Sequence, residues 1–373
     1  MEQGQYYCHN KTKTLKAKHI HIPEDSELLK FIYQQVDDNL VYNKLKFRIV
    51  FWSKLVLYLS LTIAFYSAFF NVENSLLFIL CYILFGFSSI LFGFNFAHDF
   101  AHGTIFRNSK LDNLAFIIIY AINGAHGEAW KENHIKSHHF APNVAKHDTD
   151  LKISGLIRVN PNSKYNWYHR FQHVYALLVY STYSLYWVFI KDFLVVLKNT
   201  MGFQRHLSFW TQKVFYFSYI LLLPLLFSHQ AWSIVFIGFL LMHLLQSLFL
   251  LLTFYMTHHV EGILYPMVNT DGYVNTSWVV NQVKSSNDFH PFSEFVNYIL
   301  GGFNNHIAHH LFPHIHHIHY PKINMILYPI LIKNGITPNQ TSYWGGIRSH
   351  LRLLQKMGVE NYINQNALAL NLK

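Results

Sequence analysis

The sequence predicts an all-α integral membrane protein, with four transmembrane helices in two hairpins and a helical cap on the cytosolic side. Two observations carry this. Of 373 residues, 51% are hydrophobic and 17% aromatic, and only 13% are Asp, Glu, Lys or Arg. That is about half the usual charged fraction, too little to coat a water-soluble surface. In addition, residues 47–70, 76–97 and 232–256 are apolar runs that meet the roughly 20 residues a helix needs to cross a bilayer. Residues 214–227 form a shorter fourth run.

Residues 1–46 are polar and carry Lys11, Lys13, Lys16, Lys18 and Lys30 ahead of any apolar run. No cleavable signal peptide reads this way, so the amino terminus is expected in the cytosol. Pro23, Glu24, Asp25 and Ser26 open an amphipathic helix through about Val36, because proline and acidic residues suit a helix start. It is expected at the membrane surface. The first hairpin, 47–97, turns at 71–74. Residues 98–211 form a cytosolic and interfacial region. Within it, 114–122 is too short to span. The stretch 177–197, rich in Tyr and Trp but broken by Lys191 and Asp192, belongs at the interface.

The second hairpin, 212–257, turns at 228–231, and residues 258–373 complete the cap. Neither connector holds Lys or Arg, whereas 107–213 holds many. The positive-inside bias therefore puts both connectors outside, and both termini and the cap in the cytosol. The net charge of +10 is read as this topology signal, since no basic motif interleaved with aromatics marks nucleic-acid binding. Cys8 and Cys81 do not make a disulfide framework.

Histidine is the anomalous residue, with 26 in the chain and seven in the sixteen residues HIAHHLFPHIHHIHYP at 306–321. Three clusters are ordered: HDFAH gives His98 and His102, HIKSHH gives His134, His138 and His139, and HIAHH gives His306, His309 and His310. Helical neighbours three or four apart share a face, so each cluster aims its imidazoles at one point. All three lie at the cytosolic mouth of the spans, where eight imidazoles exceed the needs of one ion. Two metals are expected, and imidazole alone suits Fe, Zn, Cu or Ni.

In THHVEG, His258 leaves the last span toward the same mouth, while His259 points elsewhere. Asp99, Asp148, Asp150 and Glu261 are candidates for the carboxylates that accept a ligand histidine's second N–H. His314, His316, His317 and His319, beyond the helix-breaking Pro313, are expected to be supporting or surface residues. His243 and Gln246 lie inside the last span, where they line a channel or join helices.

These residues carry a resemblance. The boxes HDFAH, HIKSHH and HIAHH, in that order around two hairpins, resemble the eight-histidine pattern of the membrane-bound fatty acid desaturases over about residues 30–357. HDTDL at 147–151, HRFQHVYALLVY at 169–180, WVFIKDF at 187–193, HHVEG at 258–262 and HHLFPHIHHIHYP at 309–321 are similar to the bacterial branch often labelled linoleoyl-CoA desaturase.

The resemblance implies two Fe ions on His98, His102, His134, His138, His139, His306, His309 and His310, with His258 as the ninth ligand. O2 is the implied co-substrate. An acyl-CoA or acyl-lipid substrate would reach the site from membrane lipid, with Lys152, Arg158, Lys164 and Arg170 near a phosphate or an acidic electron donor. The family often carries a fused haem domain with a His-Pro-Gly-Gly motif. None is seen here, so a separate ferredoxin or cytochrome b5 type donor is expected. Front-end members usually begin the third box with Gln where His306 stands, which leaves the double-bond position open. A di-iron hydroxylase and a His-rich metal transporter are the rival readings.

Overall fold

A computed structural model describes residues 18–148, 150, 154–198 and 202–360. Cys8 and Lys152, along with Lys11, Lys13 and Lys16, lie outside the described residues. The first helix, α1 (Pro23–Asn39), has Pro at its first turn together with Glu24 and Asp25. Leu28, Ile32 and Val36 recur every fourth residue and are buried. They do not lie on a lipid surface as expected. They pack on Ile307, Leu311, Ile323 and Leu327 of the carboxyl third, because an apolar helical stripe buries itself in protein when the cap supplies a matching one.

Four helices are long and apolar enough to cross a membrane: α2 (Lys44–Ala68), α3 (Ser75–Ala101), and, further along the chain, Phe203–Phe227 and Trp232–His258. Asn43 and Asn74 cap α2 and α3, each accepting from the backbone N–H three residues on. Leu45, Ile49, Trp52 and Val56 of α2 are exposed, an apolar strip that only lipid would cover. The third span begins at Phe203, well before its apolar run. Gln212 and Lys213 are tolerated there because both are buried against protein.

Between the two pairs come α4 (Ser109–Ile122), α5 (Gly127–Asn133) and α6 (Gln172–Ser181). The interfacial stretch continues as short helical pieces through Lys198 and is not among the candidate spans. The late spans are α7 (Phe203–Phe227) and α8 (Trp232–His258). The cap is then completed by α9 (Trp278–Lys284), α10 (His306–Leu311), α11 (Tyr320–Lys333) and α12 (Tyr343–Met357). The fold departs from all-α in two places: Lys18–His19 pairs with Tyr273–Val274, and Asn287–Phe289 pairs with Asn339–Thr341, both parallel.

Both connectors lie at one end. Gln230 Nε2 donates to the Val72 carbonyl at 3.0 Å, and Ser75 Oγ donates to Gln230 Oε1 at 2.8 Å. The helices α3 and α8 pack closely where Gly86 meets Met242 and Gln246, and where Gly238 meets Tyr82. A Cβ on Gly86 would lie 2.6 Å from Met242 Cγ. Gly86→Leu is therefore expected to wedge α3 from α8 and cost about 1–3 kcal/mol, read as a lower melting temperature in detergent. Gly301, at φ +61°, brings its backbone so near Phe94 that a Cβ would clash with the carbonyl. This seats the loop before α10 on the end of α3.

Candidate metal centre

Two wide helical turns set the histidines. The backbone of α3 makes a π turn over Gly93–Ala97, just ahead of His98. Asn95, fully buried, closes it by donating to the carbonyls of Leu91 and Ile299, each at 2.8 Å. A second π turn covers His134–His138, with the His139 N–H donating to the His134 carbonyl at 3.0 Å. Because a π turn holds roughly 4.4 residues, residues four and five apart fall on either side of one direction. His138 and His139 thus diverge to flank His134, and π turns recur at functional sites.

The structure gathers all nine histidines singled out in the sequence. His98, His102, His134 and His309 have ring nitrogens within 4.8 Å of one another, and so do His138, His258, His306 and His310. His139 stands between the groups. Its Nε2 lies 3.2 Å from His134 Nε2, and its ring centre is 4.6 Å from those of His309 and His310. His259 turns away, its Nδ1 meeting the Tyr265 hydroxyl at 3.1 Å.

The tautomers show what the groups lack. His258 Nδ1 donates to the Ser285 carbonyl at 2.8 Å, and His310 Nδ1 donates to Gln282 Oε1 at 2.8 Å. Each ring has thereby spent its only proton, yet their Nε2 atoms face each other at 3.2 Å. Two lone pairs at this distance repel, and a cation between them removes the conflict. Protonation is no remedy, since burial and the neighbouring imidazoles hold His310 well below the usual histidine range. The same causes depress His102, His134, His139, His306 and His309. Nε2 of His98, His102, His138 and His309 is buried without a partner. Unpaired buried nitrogens on so many imidazoles fit a metal centre.

The surrounding groups orient the rings. Asp148 accepts from His138 Nδ1 at 3.0 Å, and Asp150 from His134 Nδ1 at 3.2 Å. Burial alone would raise the Asp148 pKa, but His138 and the Asn143 N–H hold it below the usual carboxylate range, while desolvation and the neighbouring Asp148 charge push Asp150 up. The other two carboxylates expected here serve elsewhere. Asp99 accepts from His317 Nδ1, not from a box histidine, and Glu261 bonds Arg352 and Lys356 at the surface. A long side chain ends where a cation meets it, whatever its sequence neighbour.

The reading from sequence missed Gln282, Ser285, Tyr320 and Asp288. Gln282 also donates Nε2 to the His139 carbonyl at 3.2 Å. Tyr320 Oη lies 3.2 Å from His309 Nδ1. Asp288 accepts from the Ile307 N–H at 2.8 Å and steadies the start of α10. The one hint was the uncharged polar residues Asn281, Gln282, Ser285, Ser286 and Asn287 crowded around Val283 and Lys284, all five of them buried.

A mainly apolar cavity reaches from Ile90, Gln246 and Leu250 between α3 and α8 to His98 and His134. Gln246 lines it, as expected. His243 does not; it joins helices, with Tyr216 and Ser184 oxygens each 2.7 Å from its ring nitrogens. Arg158 is buried and spent on carbonyls, including those of Met357 and Val359, so it does not serve an external phosphate. Lys164 and Arg170 are exposed.

The sequence profile described as fatty acid desaturase matches residues 73–342. The chain belongs to that family. An sn-1 linoleoyl-lipid 6-desaturase of Arthrospira platensis is 30% identical over 294 residues, covering 74% of this chain and 77% of its own. An acyl-lipid (8-3)-desaturase B of Dictyostelium discoideum is 27% identical over 346 residues, 85% of this chain and 73% of its own. An acyl-lipid (8-3)-desaturase of Physcomitrium patens is 26% identical over 312 residues. That match covers 80% of this chain but 64% of the moss protein, just under two thirds. As a desaturase-family membrane protein with buried histidine clusters, the chain is of an oxidoreductase kind.

Proposed function

We propose that this protein introduces a double bond into a long acyl chain held in the membrane, at a pair of irons bound by the nine gathered histidines. The observation that carries the reading is the apolar cavity ending on His98 and His134, members of the first of two neighbouring groups of buried imidazoles whose ring nitrogens converge. An alkyl C–H bond has no acidic proton, so side-chain acid–base chemistry cannot open it. Bound iron, reduced by an external ferredoxin or cytochrome b5 type donor, would supply oxidation by O2: the acyl chain loses two hydrogens, and O2 with two electrons and two protons leaves as two waters.

The chain's own residues do the rest. Imidazoles hold metal without cancelling its charge. His98, His102, His134 and His309 would hold one ion and His138, His258, His306 and His310 the other, with His139 between them. Asp148, Asp150, Gln282 and the Ser285 carbonyl keep Nδ1 protonated, so the other nitrogen faces the centre. The apolar wall of Ile90, Leu250 and Phe254 straightens a methylene chain and excludes water. Acyl-lipid substrates appear in the names of the relatives above, and an ester or thioester head of either kind fits this reading.

Both connectors sit together, at the ends of α3 and α8 opposite His98 and His258, and carry no Lys or Arg. This supports a cytosolic metal centre with both termini on that side.

Gas chromatography with mass spectrometry of fatty acids from an expressing host tests the proposal, alongside metal analysis of purified protein. A new double bond, lost in His138→Ala, and iron in the wild type are expected. A new hydroxyl would favour the hydroxylase, and zinc with no lipid product would overturn the proposal. Gln282→Ala, which strips the carbonyl from His310 and the donor from the His139 backbone, is expected to weaken iron retention about 10- to 100-fold under chelator challenge.

A further inference from the structure

The iron-facing cavity is not closed by histidine on every side. One wall is formed by Tyr183 and Leu251, and the same two residues wall a second cavity on their far side. The second cavity is lined by Ser154, Leu156, Tyr180 and Tyr186, a more polar set than Ile90, Phe94, Leu250 and Phe254 in the depth of the first. Leu156 and Tyr186 are exposed, so this second space opens toward the outside of the fold.

At the partition stands Lys191, the last residue of the π turn Trp187–Lys191. Its Nζ donates to Tyr183 Oη at 3.2 Å and lies 4.2 Å from the Trp187 ring centre. It forms no ion pair among the described residues. The adjacent carboxylate, Asp192, is taken by Lys213 Nζ at 2.7 Å, Trp187 Nε1 at 2.8 Å and the His126 N–H at 2.8 Å. Asp150, on the same wall, is bonded to His134. An ammonium has three donors, and the described residues take one.

A saturated chain offers nothing to such a donor, but its ester or thioester carbonyl does. Resting on the desaturase reading above, we infer that Lys191 and Tyr183 bind the carbonyl oxygen of the acyl substrate at the junction of the two cavities, and so set how many carbons separate the carbonyl from the metal centre. The head group occupies the outer cavity and the hydrocarbon enters the inner one. Sliding the chain by a carbon breaks the carbonyl bond to a buried donor, which counts carbons from the head end. Methyl-end length then has little say in where the double bond falls.

The test uses the full chain in host membranes, with linoleoyl-CoA in one arm and a linoleoyl phospholipid in the other. Mass spectrometry locates the new double bond. The arm that the wild type turns over identifies thioester or ester as the source. In that arm Lys191→Met and Tyr183→Phe are expected to spread the product over neighbouring positions and to cut turnover roughly tenfold. Lys191→Arg, which keeps a donor, restores a single position. Iron per chain stays at the wild-type level in all three. The inference falls if position and rate are unchanged in both Lys191→Met and Tyr183→Phe, or if Lys191→Met loses iron along with activity. A wild type that makes no double bond in either arm sinks the desaturase reading itself.

Discussion

His258→Ala is expected to lower desaturation at least about a hundredfold and to remove one of the two proposed irons, while His259→Ala leaves iron and product near wild type. The two residues are neighbours in sequence, which makes the contrast informative. His258 Nε2 lies 2.7 Å from His306 Nε2 and 3.2 Å from His310 Nε2, so it is central to its group. His259 faces Tyr265 and makes no contact with the box histidines other than ring proximity to His258. Substituting an outer carboxylate or amide partner costs 10- to 100-fold in comparable sites, and a direct ligand should cost no less. Metal analysis by mass spectrometry and fatty acid analysis of the host read the two effects separately. Iron and product both unchanged in His258→Ala would remove the central assumption about this group.

Lys54→Met is expected to destabilise the protein by about 3–5 kcal/mol. Lys54 lies in α2 and is 2% exposed. Its Nζ donates to His317 Nε2 at 2.7 Å, and His317 Nδ1 donates to Asp99 in the first box. The chain Lys54, His317, Asp99 is thus a buried cation and anion joined through one imidazole. Removing the cation leaves a buried carboxylate without its counter-charge. Adding Asp99→Asn to Lys54→Met should restore part of the loss, since the pair then vanishes together. Thermal unfolding in detergent measures both; equal melting temperatures for wild type and Lys54→Met would refute the coupling.

This triad also explains the crowded run after Pro313. His317 ties α2 to the first box, and His316 is buried beside it with its Nε2 3.6 Å from Asp99. His314 is exposed and His319 half-buried. One run of imidazoles therefore divides into three residues of the proposed metal centre, one buried tie with its buried neighbour, and surface. Spacing could not separate these, because it records which residues share a helix face and not what faces them. Lys54 gave no sign at all: a lysine within an apolar run reads as a flaw in the span until its partner, 263 residues away, is seen.

Apolar run length revealed the spans, because bilayer thickness imposes it and neighbouring helices do not. Histidine spacing revealed the boxes for a like reason: three- and four-residue steps aim side chains together whatever the rest of the fold does. Both are local properties of the chain. The tertiary structure alone decided how the nine histidines divide, since a π turn sends His134 and His138 to different groups and leaves His139 between them. It alone supplied the Ser285 carbonyl and Gln282, which come from a segment with no metal-binding pattern of its own, and it alone set Tyr320 against His309. A buried N–H must find an acceptor, and folding selects whichever one lies within about 3 Å.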